Sequence, residues 1–335
     1  MEALMNSRGH SVQLRYVIDE DSKVGEARRA AQNVANFEFD AQAAGRVAIA
    51  ATELANNLLR HAGGGEILVQ VLGSDETATV ELLAIDRGPG MADVDRCMRD
   101  GFSTGGTPGT GLGAVRRLAD DFDIYSVPGE GTVVMARFGK GPDAKFGAVC
   151  VPLHGEPDCG DAWHLVADGH RVAAMVVDGL GHGTFAAEAA RAGIEAFTTS
   201  PWAPPHFLMH LAGTAMARTR GGAAAAALIE GNAVSYAGIG NIAGSLVSAD
   251  KSQGLVSHAG TLGMQGMGTA ARRAQQFEYT RPAGGLLVMH SDVLTARWSL
   301  KERPALFSHH PAIIAGVLYR DHGRGKDDAT VLVIA

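Results

Sequence analysis

The chain has 335 residues, enough for two domains of ordinary size. Apolar residues make up 46% and charged residues 19%, which excludes a disordered chain, and a net charge of −7 leaves no basic footprint for nucleic acid. The three cysteines, Cys97, Cys150 and Cys159, show no paired metal spacing and predict a reducing, cytoplasmic setting. The N-terminal stretch lacks the apolar core of a signal peptide and no segment is long enough to span a bilayer, so neither nucleic acid nor a membrane is expected as a partner.

In chain order, "QLRYVI" predicts a strand and residues 23–36 a helix. "AQAAGRVAIAATELANNLLRHA" has apolar positions at three- and four-residue steps and predicts one amphipathic helix. "EILVQVLG" and "ATVELLAIDRG" read as strands joined in a hairpin across "SDET". "GAVRRLADDFDIYS" reads as a helix, with "RRLADDFD" as its solvated end, and "GTVVMARF" as a closing strand. The polar, glycine-rich "GKGPDAKFG", residues 139–147, reads as a linker. Beyond it come short strand-like runs: "AVCVPL", "AWHLVAD", "RVAAMVVDG", "AAAALIEG", "AVSYAGIG", "AGSLVS", "GGLLVMHSD" and "ATVLVIA". Helices are expected near 184–197, 204–219 and 311–320. The layout is α+β, with one domain over 1–138 and a different one over 148–335.

Within "TELANNLLRHA", Glu53, Asn57 and His61 recur every four residues and so fall on one helical face. Taken alone, that pattern suits a solvated stripe as well as a site. "AIDRGPGM" then ends an apolar strand on Asp86 and supplies Gly88 and Gly90, and "GGTPGTGLGAVRRL" places glycines directly before a helix. Backbone N–H groups uncrowded at a helix start suit a polyphosphate. The loop is not a Walker sequence, because no Gly-Lys-Ser/Thr follows it.

The order of these motifs resembles the GHKL-type ATPases, and "E-L-x-x-N-x-x-x-H-A" with a short lid is most similar to their anti-sigma-factor serine kinase (RsbW/RsbT-like) branch, over about residues 10–138. The resemblance implies a GHKL (Bergerat) α/β sandwich binding ATP. In it Asn57 supplies an amide oxygen to Mg²⁺, Asp86 accepts from the adenine amino group, and Thr132 supports that contact. Gly88 and Gly90 shape the first glycine turn. Gly109, Thr110, Gly111, Leu112 and Gly113 wrap the phosphates, residues 97–109 form a mobile lid, and Glu53 is the general base or orients a water.

In the second half four acidic positions end or follow strands: Asp161 in "CGDAWHL", Asp178 in "VVDGLGHG", Asp292 in "VMHSDVL" and Asp327–Asp328 in "GKDDATVLVI". Such a crowd of like charges calls for cations, and oxygen-only ligands suit Mg²⁺ or Mn²⁺. The series, together with "GIGN" at 238–241, resembles the type 2C serine/threonine phosphatases, specifically their bacterial SpoIIE-type (RsbX-like) branch, over about 147–335. That resemblance implies an α/β/β/α sandwich. It also implies that Asp178 bridges two metals with help from the Gly179 carbonyl, that Asp161, Asp292 and Asp327 complete the site, and that Asp328 supports it from behind. The chain departs from the pattern at Val293, where glycine is usual, which puts the geometry at Asp292 in question.

His182 reads as a turn residue, His309–His310 as surface residues before a helix, and Cys159 as a small buried hydrophobe. The two resemblances together imply a bifunctional switch. A phosphatase domain would act on a phosphorylated anti-anti-sigma (STAS-type) protein, and an ATP domain would be the opposing kinase. A sigma factor or stressosome-like complex is a further implied partner, and a homodimer is possible on this reading. The alternative is an ATP-gated anti-sigma-type binding regulator whose first domain transfers no phosphate.

Overall fold

The strand signal in "LRYVI" forms β1 (Leu14–Ile18) in the computed structural model, which describes residues 13–73, 77–98, 111–141, 144–264, 274–295 and 298–335. The chain divides into two compact units, Gln13–Pro142 and Asp143–Ala335, described separately below.

In the first unit α1 (Asp21–Glu38) buries Ala27, Ala31, Val34 and Ala35, a stripe at helical spacing. Its neighbour α2 (Ala41–Asn57) starts where the Asp40 carboxylate accepts from the Ala43 N–H, satisfying an otherwise orphaned donor. Small alanines on both buried faces let the two helices pack closely. Past Asn57 the helix does not continue as expected. Leu58–Ala62 winds as a π-turn, and His61 within it is exposed.

Then follow β2 (Gly65–Leu72), β3 (Thr79–Ile85), a short α3 (Val94–Cys97), α4 (Gly111–Leu118), β4 (Asp121–Val127) and β5 (Gly131–Gly139). They form an antiparallel sheet in the order β1-β2-β3-β5-β4. The pairing of β2 with β3 is the expected hairpin, although residues 74–76 of its turn lie outside the described residues. The helix expected over "GAVRRLADDFDIYS" ends at Leu118, and its second half is β4 instead. Propensity suits this, since Phe122, Ile124, Tyr125 and Val127 are β-formers and pair along β5. In "RRLADDFD" Arg116, Arg117, Asp120 and Asp121 are exposed as expected, and Asp120 in addition pairs with Arg46 and accepts the Gly139 N–H.

Across this sheet Gln70, Glu81 and Arg137 stand in register on three adjacent strands. Gln70 Nε2 and Arg137 Nε each donate to the fully buried Glu81 carboxylate at 2.7 Å. Removing one partner would strand a charge away from water. Arg137→Ala is therefore expected to destabilise the chain by about 3–5 kcal/mol, read as a lower urea midpoint.

The second unit contains two antiparallel sheets. The first, in the order β13-β10-β9-β8-β7, comprises β7 (Asp161–Ala167), β8 (Arg171–Gly179), β9 (Gly222–Glu230), β10 (Ala233–Ile239) and β13 (Phe277–Thr280). The second, in the order β12-β11-β14-β15-β6, comprises β6 (Phe146–Val151), β11 (Ala243–Val247), β12 (Ser252–Gly254), β14 (Leu286–His290) and β15 (Ala329–Ile334). Helices α5 (Thr184–Thr199) and α6 (Pro205–Ala215) cover the first sheet, and α7 (Pro311–His322) covers β6 and β15. Trp163 of β7 meets Phe146 of β6 edge to face at 5.6 Å between the sheets. The layers are thus α/β/β/α, as the type 2C resemblance implied. The alanine run of β9 presents small side chains, so Met175, Ile194, Phe197, Leu208 and Met209 close over it into one core.

Two strands escaped the sequence reading, β12 and β13, both short and largely polar. His310 is not a surface residue: it is buried, and its ring Nδ1 accepts the Ala312 N–H to cap α7. Among the described residues no helix is long and apolar enough to cross a membrane.

Candidate functional site

In the first unit α2 and α4 bring the expected nucleotide residues together. Glu53 and Asn57 are half-buried on α2. A Cβ placed on Gly111, the first residue of α4, would lie 3.2 Å from Asn57 Oδ1 and 3.3 Å from Glu53 Oε2. The start of that helix therefore faces both side chains. Asn57 Nδ2 is buried with no partner among the described residues, an orphaned amide on the side where the resemblance implies ATP and its metal. Leu112 and the buried Gly113 continue α4, while Gly109, Thr110 and most of the implied lid lie outside the described residues.

Asp86 follows β3 immediately. Its Oδ1 accepts the N–H groups of Gly88 at 2.8 Å and Thr132 at 3.1 Å, which fixes the carboxylate. The support expected from Thr132 thus comes through its backbone, and its hydroxyl bonds Ser126 instead. Gly90 has a φ of +65° and a Cβ there would sit 2.1 Å from the Val127 carbonyl, so only glycine fits this turn.

In the second unit the two sheets each contribute acidic residues to one edge. Asp161 and Asp178 stand directly opposite each other on β7 and β8. Asp292 follows β14, and Asp327–Asp328 precede β15. Asn241, just past β10, joins the two groups: its Nδ2 donates to Asp178 Oδ2 and to Asp292 Oδ2, both at 3.1 Å. Asn241 was not assigned a role from sequence, although the last letter of "GIGN" marked it. Val293 in place of glycine points inward and is buried, and Asp292 still reaches Asn241. Gly179, whose Cβ would meet the Ala186 carbonyl at 2.1 Å, lets the end of β8 press against α5.

Asp328 is buried and anchors the loop before β7 by accepting from Leu153 N–H at 2.8 Å and Gly160 N–H at 2.9 Å. Asp327 is exposed, with Oδ1 accepting the Asp328 N–H. His182 Nδ1 bonds Glu156 at 2.7 Å, and Thr184 donates to Asp158 at 2.8 Å, which pin the same loop to α5. Cys159 is only half-buried, with its thiol 3.8 Å from that of Cys150.

The charges respond to this crowding. Burial pushes Asp178 up to about 7, Asp292, Asp327 and Asp328 add to the rise, and the Asn241 hydrogen bond opposes it. Burial, reinforced by Asp178, holds Asp161 well above the usual carboxylate range. Asp328 is also raised by burial against the pull of its two N–H donors. Asp161 Oδ2 is a buried oxygen without a partner among the described residues. A cation removes all of these penalties together, so the donor set fits a hard divalent ion. Among the described residues no three such side chains close into a compact cage.

Residues 18–138 match the family of histidine kinase-like ATPase domains. The serine/threonine-protein kinase RsbT of Bacillus subtilis (strain 168) is 40% identical over 111 residues, 33% of this chain and 84% of that protein. Among solved structures, a chain from the study "The bacterial stressosome: a modular system that has been adapted to control secondary messenger signaling" aligns with a TM-score of 0.52 at 24% identity, covering 57% of this chain and 98% of that one. The likeness is one of fold, over a share larger than the first unit alone. A crystal structure of RsbX in complex with magnesium aligns with a TM-score of 0.45 at 22% identity, over 56% of this chain and 92% of that one.

Proposed function

Through residues 18–138 the chain belongs to the histidine kinase-like ATPase family, and from that premise we propose that it is a cytoplasmic partner-switching regulator with two opposed activities. The second domain removes phosphate from serine or threonine on a STAS-type partner protein. The first binds ATP with Mg²⁺ and phosphorylates that partner. The observation that carries the phosphatase half is the convergence of Asp161 and Asp178 from one sheet with Asp292 from the other, tied through Asn241.

Asp161, Asp178, Asp292 and Asp327, with the Gly179 carbonyl, would hold Mg²⁺ or Mn²⁺. Such ions, when bound, neutralise phosphoryl oxygens and acidify a water for attack on phosphorus. The protein's own part is positional. Asn241 holds Asp178 and Asp292 at a fixed spacing, and Asp328 fixes the loop that delivers Asp161. In the first domain Asp86, locked by two N–H groups, would accept from the adenine amino group, and Asn57 would offer its amide oxygen to a metal bound with ATP. Glu53, beside Gly111, takes the proton of the attacking hydroxyl.

The test is phosphate release from a serine-phosphorylated STAS-domain protein. Release is expected with Mg²⁺ or Mn²⁺ and none in EDTA; full release in EDTA would refute the metal site.

A further inference from the structure

The turn leaving β8 carries exposed apolar side chains beside the carboxylate edge: Leu180 is 50% and Phe185 61% exposed. The turn is stitched to the entry of β9, because Leu180 N–H donates to the Gly221 carbonyl at 2.9 Å. The residue before Gly221 is Arg220. Its guanidinium lies over the Phe185 ring, 5.0 Å from the centroid, and its Nη1 is 3.3 Å from where a Cβ on Gly181 would be. Gly181 is three residues past Asp178. Arg220 is therefore held against the turn that follows the central aspartate.

A second stacked arginine in the same unit gives the contrast. Arg171 lies over Trp202 at 4.1 Å, but its charge is met by Asp168 at 2.8 Å. Arg220 is exposed and makes no ion pair or hydrogen bond among the described residues, although Asp161, Asp178, Asp292, Asp327 and Asp328 all stand on the neighbouring strand ends. A phosphoryl dianion approaching five carboxylates meets repulsion unless a cation draws it in. A guanidinium presents two parallel donors to phosphate oxygens, and the ring beneath it limits the orientations it must give up on binding.

We propose that Arg220, seated on Phe185, grips the phosphoryl oxygens of an incoming phosphoserine- or phosphothreonine-bearing protein segment, while Leu180 and Phe185 pack against the residues flanking it. This rests on the phosphatase reading of the second domain. Arg220 is then the residue that selects a phosphorylated protein over its dephosphorylated form. Lys326, exposed next to Asp327, is a point charge with no such seat and contributes less.

The full chain loaded with Mn²⁺ is assayed on serine-phosphorylated casein and on p-nitrophenyl phosphate. Arg220→Ala should raise KM for the phosphoprotein about ten- to a hundredfold, the loss of a charged hydrogen bond, with kcat within about twofold. Arg220→Lys should recover part of it, Lys326→Ala should change KM little, and the melting temperature of each should match wild type. Binding is read separately by fluorescence anisotropy of a labelled phosphoserine peptide on the non-turning Asp178→Asn chain. Arg220→Ala in that background should weaken binding by the same ten- to hundredfold, about the loss of one charged hydrogen bond. If wild type is active and Arg220→Ala leaves KM and anisotropy unchanged, or if Lys326→Ala produces the loss instead, the proposal is overturned and the phosphatase reading survives. If wild type cleaves neither substrate and Asp178→Asn binds no phosphopeptide, the phosphatase reading falls, and Arg220's role with it.

Discussion

Replacing Asp178 by asparagine should abolish metal-dependent phosphate release and, in the same protein, stabilise the metal-free fold. The first effect follows from position. Asp178 faces Asp161 across β7 and β8 and shares Asn241 with Asp292, so its charge stands at the centre of the set. Losing several kcal/mol of charge stabilisation at a factor of ten per ~1.4 kcal/mol lowers kcat on the order of a thousandfold. The second effect follows from the same crowding. Asp178 ionises at about 7 in the fold against 3.8 in the unfolded chain. A carboxylate raised in this way contributes stability below the unfolded value and loses it as pH rises through the folded one. At pH 8 in EDTA the wild-type chain carries the whole penalty and the asparagine variant carries none. At pH 5 Asp178 is largely protonated in the fold while the unfolded carboxylate is ionised, so the difference should narrow without closing. The variant's melting temperature should therefore exceed wild type by a few degrees at pH 8, each kcal/mol being worth about 2–4 °C. Added Mg²⁺ should raise the wild-type value and leave the variant's alone. Scanning calorimetry at the two pH values checks all of this. A variant that is both inactive and less stable at pH 8 would make Asp178 a structural residue.

Much of this site was legible in the sequence because its residues sit at strand ends, where apolar runs stop on a carboxylate. Asp178 and Asp292 were visible in that way, Asp161 and Asp327 as carboxylates just ahead of apolar runs, and the two-sheet layering followed from the density of short strands. What the sequence hid was cross-chain geometry. Asn241 serves two aspartates 63 and 51 residues away, and no local pattern reports such a bond. Arg220 lies outside every motif, and only the adjacency of β8 and β9 brings it to the "DGLGHG" turn. Local signals also misled where tertiary pairing decided the outcome. "DFDIYS" continued a helical pattern yet pairs with β5, and His310 looked like surface but caps a buried helix.

Glu53→Ala separates the kinase reading of the first domain from the binding-only alternative, and it should remove phosphotransfer while leaving nucleotide affinity nearly unchanged. The parts that would hold ATP are elsewhere: Asp86, fixed by Gly88 and Thr132, and the amide of Asn57. Glu53 reaches the start of α4 at Gly111 alongside Asn57 but makes no bond that positions Asp86. Loss of a general base costs about 10²–10⁴ in rate, so labelling of a STAS-domain partner from [γ-³²P]ATP should fall by that factor. Nucleotide binding, followed by a fluorescent ATP analogue, should shift little. Asn57→Ala should instead weaken Mg²⁺-dependent nucleotide binding itself. If wild type binds nucleotide yet labels no STAS partner, and Glu53→Ala docks as wild type does, the first domain is a nucleotide-gated clamp. Phosphate would then move in one direction only, off the partner and through the carboxylates of the second domain.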